Sequence, residues 1–158
     1  MRISNLLAAV AWLTVSGAPV HADFATGLAA YDGGDYRTAF EEWRALAEAG
    51  DAEAQTALAS LYVSGQGRPA NPARAVHWYR RAAEQGDAVA QQNLGDFYGR
   101  GVGVGRDLVS AYVWLSLAAG QDRRWAERRR GEVAAQLGPE QHAEAEVRLA
   151  ARRKARDE

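Results

Sequence analysis

The chain reads as all-α, a right-handed α-solenoid of stacked helix pairs with a C-terminal helical cap. Three observations predict it. Shifting residues 52–87 forward by 36 positions aligns twelve identical pairs, among them Gln55/Gln91, Leu58/Leu94, Tyr62/Tyr98, Trp78/Trp114 and Gln85/Gln121. Within each half of the repeat, apolar residues recur at three- and four-residue spacing, the period of one helix face. Between the halves stand matched glycines, Gly65/Gly101 and Gly67/Gly103, where a helix stops.

Residues 1–22 are expected to be a cleaved secretory signal. Met1-Arg2 is a short charged start, and Leu6 to Val15 is an uncharged, largely apolar run of ten residues. Ten helical residues reach about 15 Å, half a bilayer core. Ser16-Gly17-Ala18-Pro19 breaks the helix, and Val20-His21-Ala22 offers the small residues that a signal peptidase reads, with cleavage after Ala22. The remaining 136 residues hold 18 basic and 20 acidic side chains, net −2, and no stretch approaches the length of a membrane span. The expectation is an exported protein, periplasmic in a bacterium or secreted, with no stable membrane insertion after cleavage.

Residues 23–51 form a degenerate first repeat. Ala39, Ala47, Glu48, Gly50 and Asp51 match the next unit at the same offset, but the connection is about five residues shorter. In the unit 52–87, Ala54, Leu58, Leu61 and Tyr62 share one face of a helix over about 52–63, and Ser64-Gly65-Gln66-Gly67 ends it. Asn71 is placed to cap the second helix, with Pro72 in its first turn. Ala75, Trp78, Tyr79, Ala82 and Ala83 are its expected buried stripe, small residues for close approach and rings to fill the space to the neighbour. The unit 88–122 repeats this plan.

After Asp122 the repeat fades into a basic segment. Trp125, Val133, Ala134 and Leu137 keep a helical phase, and Gly138-Pro139-Glu140 stops one helix and starts another. The last helix, about 139–155, carries Ala143, Ala145, Val147, Leu149 and Ala150, and the final residues fray. Residues 123–158 are therefore read as two capping helices over the last repeat, followed by a basic tail.

Ala52-Glu-Ala-Gln55, Leu58, Tyr62, Gly65-Gln-Gly67, Ala75 and Trp78-Tyr-Arg-Arg-Ala-Ala-Glu-Gln-Gly-Asp87 resemble the Sel-1-like repeat, a relative of the tetratricopeptide repeat. Residues 88–120 resemble it as well, and residues 33–51 look like a unit with a clipped loop. The resemblance implies a scaffold for protein complexes and no catalysis. Some secreted members carry a cysteine pair in each repeat and are linked to β-lactam binding; this chain has no cysteine, so that property does not transfer.

Composition narrows the chemistry. The chain has 158 residues, about one domain, with 47% apolar and 25% charged residues and a net charge of −1. Such a balance gives no global attraction to nucleic acid. Without cysteine there is no disulfide, thiol nucleophile or Cys-ligated zinc. Neither a Gly-x-Ser-x-Gly elbow nor a His-Glu-x-x-His motif occurs, and no cofactor, metal or catalytic residue is assigned. Gly101-Val-Gly103-Val-Gly105 follows a helix and lacks a phosphate-loop lysine, so it is read as the turn within the repeat. His77, beside Trp78, is read as a surface or packing histidine. A cell-wall or β-lactam hydrolase, the alternative of a different class, would have to use His77 or the carboxylates.

Two surfaces remain. First helices of stacked pairs line a concave wall, and side chains pointing away from the apolar stripe face a partner. By helical phase these are Glu53, Thr56 and Ser60 in one unit and Gln92, Asn93, Asp96 and Arg100 in the next. Amides and short polar groups suit peptide recognition, because one side chain can both donate and accept. The second surface is Arg123, Arg124, Arg128, Arg129 and Arg130. Residues 23–122 hold 8 basic and 13 acidic side chains, net −5, whereas 123–158 hold 10 and 7, net +3. The arginines could dock an acidic protein or a polyanion, or simply solvate a capping helix. The expected function is a non-catalytic exported adaptor or regulator that binds an unidentified protein or peptide in the groove.

Overall fold

The computed structural model describes residues 23–157, so the expected signal segment lies outside it. Eight helices and no strand occur among the described residues: α1 (Phe24–Asp32), α2 (Tyr36–Ala49), α3 (Ala52–Ser64), α4 (Pro72–Glu84), α5 (Ala88–Arg100), α6 (Leu108–Ala119), α7 (Arg124–Ala134) and α8 (Pro139–Asp157). Helices α1/α2, α3/α4 and α5/α6 pair, and each pair packs onto the next through α2 on α3 and α4 on α5. One hydrophobic core runs through the stack, from Phe40 and Trp43 through Leu58 and Tyr79 to Leu94 and Leu115.

The same capping chemistry starts every element of the three pairs. Asp51 and Asp87 accept hydrogen bonds from Ala54 N and Ala90 N at 2.7 and 2.6 Å. Asp35, Asn71 and Asp107 accept from Thr38 N, Arg74 N and Ser110 N at 3.1, 3.0 and 3.0 Å. Each satisfies a backbone donor that the first helical turn leaves open. The turn glycines seat one unit on another. Gly103 has φ 67°, and a Cβ there would lie 2.4 Å from the Pro72 carbonyl oxygen; Gly67, at φ 76°, meets Tyr36 in the same way at 2.5 Å. The loop inside each pair thus presses on the first residue of the preceding second helix.

Between units the register is held by buried amides. Gln55 Nε2 donates to the Ala47 carbonyl at 3.1 Å while its Oε1 accepts from Gln85 Nε2 at 2.9 Å. One repeat later Gln91 Nε2 donates to the Ala83 carbonyl at 3.1 Å and its Oε1 accepts from Gln121 Nε2 at 2.9 Å. Both Gln55 and Gln91 are buried, so their bonds to the Ala47 and Ala83 carbonyls form away from water, while those from Gln85 and Gln121 are part-buried.

The C-terminal part supplies the expected two-helix cap, both helices packing on α6 of the last repeat. α7 covers the end of the stack by packing on α6, but α8 does not pair with it and lies over α6 instead. The cause is visible in register with α5. Where α5 has Gln91 and Leu94, α7 has Glu127 and Arg130, and the capping Asp87 is replaced by Arg123, which makes no side-chain cap. Glycine at position 86 becomes Asp122, a non-glycine residue at φ 59°. α7 thus lacks the leucine, glutamine and cap with which a further helix pair would be received, which is how an array ends.

The buried faces of this region also shift. Trp125 is 37% exposed, and α7 buries Ala126 and Val133. α8 buries Ala145 and Leu149; Val147 is 71% exposed, and Ala143 and Ala150 are exposed too. The expected frayed tail is helical to Asp157, because Arg152 lies 4.1 Å over the Trp114 ring and anchors that turn. Trp78, expected in a buried stripe, is half-buried: no helix covers it as α8 covers Trp114 or α1 covers Trp43.

Two stability outcomes follow. Gln91→Leu removes the side-chain bond to the Ala83 carbonyl and leaves one Gln121 amide proton without its acceptor, and urea unfolding should show a loss of about 1–3 kcal/mol. Arg123→Asp restores the missing cap on α7 and should raise stability by about 1 kcal/mol in the same measurement.

Candidate functional site

A hollow of about 710 Å³ opens where α1, α3 and α5 lie side by side, lined by Phe24, Glu53, Thr56, Ala57, Ser60, Tyr79, Gln85, Asp87, Val89 and Asn93 among others. Four of the seven predicted groove residues, Glu53, Thr56, Ser60 and Asn93, stand on its wall. They differ in what remains free. Thr56 Oγ1 donates to Asp87 Oδ1 at 3.0 Å, the carboxylate oxygen that also caps α5. Ser60 Oγ donates to the Ala57 carbonyl and Asn93 Nδ2 to the Val89 carbonyl, at 2.7 and 2.9 Å. The Asn93 side-chain oxygen and the Glu53 carboxylate carry no such bond and offer acceptors to a ligand.

The other three are placed differently. Gln92 is half-buried on α5, outside the hollow's lining. Asp96 is 9% exposed and is no open ligand, for it is claimed by Arg100 NH1 at 3.1 Å and by Arg129 NH2 at 3.0 Å. Arg100 keeps most of its side chain in solvent while making that bond.

Arg129 is likewise withdrawn from the arginine cluster. It spans Asp96 and Glu132, and those bonds, Glu132 first, hold its guanidinium charged above the usual range. Arg130 is half-buried near Tyr112, and Arg123 half-buried ahead of α7, whereas Arg124 and Arg128 are exposed. The Arg129–Asp96 bond ties α7 to α5, the helix that carries Val89 and Asn93 of the hollow. Phe24, Tyr79, Gln85 and Val89 line the hollow, and Trp125 stands exposed on α7, without having been singled out. The 36-residue register could have found two of them, since Val89 and Trp125 occupy the place of Glu53.

Tyr79 forms part of the floor. Burial, with the Asp87 carboxylate beside it, pushes its phenol up to about 12. Catalytic geometry is lacking among the described residues. His77 is exposed and stands edge-on to Trp78, 5.1 Å between ring centres, and His142 packs by Tyr112 at 5.2 Å. Neither touches a nucleophile or an orienting carboxylate. Among the described residues no group of three or more His, Asp or Glu could hold a metal ion, and no helix is long and apolar enough to cross a membrane.

A stack of helix pairs with a hollow along its first helices defines an α-solenoid repeat protein. Residues 52–87 and 88–122 each match the family model of the Sel1 repeat, and the chain belongs to the Sel1-like repeat family. Its structure is similar to that of a protective antigen present in uropathogenic Escherichia coli strains, which displays an SLR fold, with TM-score 0.76 and 30% identity over 80% of this chain and 28% of that one. It is also similar to a Sel1 repeat protein from Oxalobacter formigenes, with TM-score 0.67 and 33% identity over 72% of this chain and 47% of the other. The chain therefore spans about a quarter to a half of those proteins' lengths. No curated protein matches it. Sel1 repeat proteins typically mediate protein–protein interaction and are generally non-catalytic.

The Tyr79 shift sets a pH dependence. Below pH 10 the phenol is protonated in folded and unfolded chain alike. Between about 10 and 12 only the unfolded chain releases the proton, so stability falls as pH rises through that window. Urea unfolding from pH 9 to 12 should show Tyr79→Phe losing about 2–3 kcal/mol less than the parent protein.

Proposed function

We propose that this is an exported, non-catalytic repeat protein that holds an extended segment of a partner protein in the hollow of α1, α3 and α5, as an adaptor or regulator. The observation that carries the reading is the hollow itself. It is continuous across two repeats, floored by Phe24, Ala57, Tyr79 and Val89, and rimmed by Glu53, Ser60 and Asn93. An apolar floor with a few polar groups at its edge suits a peptide whose side chains alternate in and out, the rim bonding its main chain. Export rests on the leader-like residues 1–22. The family's general role supports a protein partner, and the isolated settings of His77 and His142 give a hydrolase nothing to work with.

The test is cross-linked capture from an extract of the exported compartment, comparing the parent protein with Ser60→Arg/Asn93→Arg, which fills the hollow, and with Val147→Ser on the opposite surface. One protein captured by the parent and by Val147→Ser, and reduced about tenfold by the filled hollow, is the expected result. Equal capture by all three would refute the groove. The protein recovered from that compartment should begin at Asp23, and a retained leader would refute export with cleavage.

A further inference from the structure

The first helices α3, α5 and α7 present equivalent positions 36 residues apart, and α7 keeps that register, starting at 124 where α5 starts at 88. Read from helix to helix, neutral side chains give way to arginine. Ala52 and Ala88 are followed by Arg124, Thr56 and Gln92 by Arg128, and Ala57 and Asn93 by Arg129. At the first of these helices the only charge on the lining is Glu53, joined by the Asp87 cap. On α5, Asp96 and Arg100 cancel. On α7, Arg129 is balanced by Asp96 and Glu132, which leaves Arg124 and Arg128 without an ion pair or hydrogen bond among the described residues. They stand one turn apart on the same helix face, where like charges repel. Next to Arg124 on the same helix stands Trp125, 37% exposed, with Arg129 6.0 Å from its ring centre.

We propose that the partner segment held by this wall is an acidic peptide, bound with its Asp or Glu residues over Arg124 and Arg128 and an aromatic or aliphatic side chain against Trp125. The proposal rests on the groove reading above and adds the partner's chemistry and direction. Free guanidinium groups favour carboxylates through charge-assisted, two-pronged hydrogen bonds, and the exposed indole gives an apolar side chain a place to leave water. Glu53 and Asp87 repel acid at the other end, so the charge gradient admits one orientation and disfavours its reverse.

The experiment is selection of displayed random peptides, about twelve residues long, on the purified protein at low salt. The enriched peptides should carry an acidic cluster to one side of an aromatic or aliphatic residue. Their affinity should fall about tenfold in Arg124→Glu/Arg128→Glu and about fivefold in Trp125→Ala, while polyphosphate binding responds to the arginine variant alone. All three positions touch solvent, and helix content by circular dichroism checks that each variant folds. Peptides that enrich without acidic bias, yet are lost in Ser60→Arg/Asn93→Arg, overturn this inference and leave the groove standing. No enrichment, or enrichment indifferent to the filled hollow, overturns both. Acidic peptides that ignore Trp125→Ala and are displaced by polyphosphate mark a plain polyanion surface and also overturn it.

Discussion

The buried amide clasp at Gln55 and Gln91 is the constraint on which the rest of the stack depends. Each amide crosses a unit boundary, bonding the last turn of the preceding helix through Ala47 or Ala83 and the end of its own pair through Gln85 or Gln121. Apolar packing resists a slide but is non-directional, so it specifies one register less sharply than a hydrogen bond does. A buried amide does not tolerate a slide, because it leaves a donor and two acceptors dry and unbonded. The clasp therefore fixes where α3 and α5 sit against their neighbours. That in turn sets the spacing of Glu53, Thr56 and Ser60 against Val89 and Asn93 across the hollow.

The array stops where that constraint is withdrawn. Glu127 replaces the clasping glutamine, Arg130 the core leucine and Arg123 the capping aspartate, so the sequence removes packing, clasp and cap in a single helix. The same replacements load the end of the wall with positive charge. Loss of local stability and gain of a charged surface come from the same residues, a conjunction typical of positions kept for binding.

Much of this was legible without coordinates, and the failures share a cause. The period of 36, the turn glycines and the alternation of Ala with Trp and Tyr located the six helices of the three pairs, because those signals are local. Helical phase also found Glu53, Thr56, Ser60 and Asn93. It passed over Val89 and Trp125 because an apolar residue on a helix is read as core, and only the absence of a covering helix shows otherwise. Asp96 and Arg129 were assigned to separate surfaces since a salt bridge across 33 residues leaves no mark on either helix's own pattern. For α8 the amphipathic pattern suggested a buried side, yet could not say that α6 would supply the other half of the contact. The Gln55/Gln91 and Gln85/Gln121 identities were visible as repeat markers, while their joint role needed the helix ends to be placed.

The course of α8 has a consequence for cooperativity. A simple linear stack has only nearest-neighbour couplings, and its units can melt separately from either end. α8 lies along α6, with Tyr112 donating to Glu146 at 2.7 Å, and its last turns border a cleft shared with Ala83 and Glu84 of the unit before. α8 thus adds to α6 a second coupling that a linear stack lacks, so α6 can come apart from its neighbours only by giving up α7 and α8 together with α5. The N-terminal pair, the acidic end of the molecule, is held to the stack through α2 on α3 and has no such second tie.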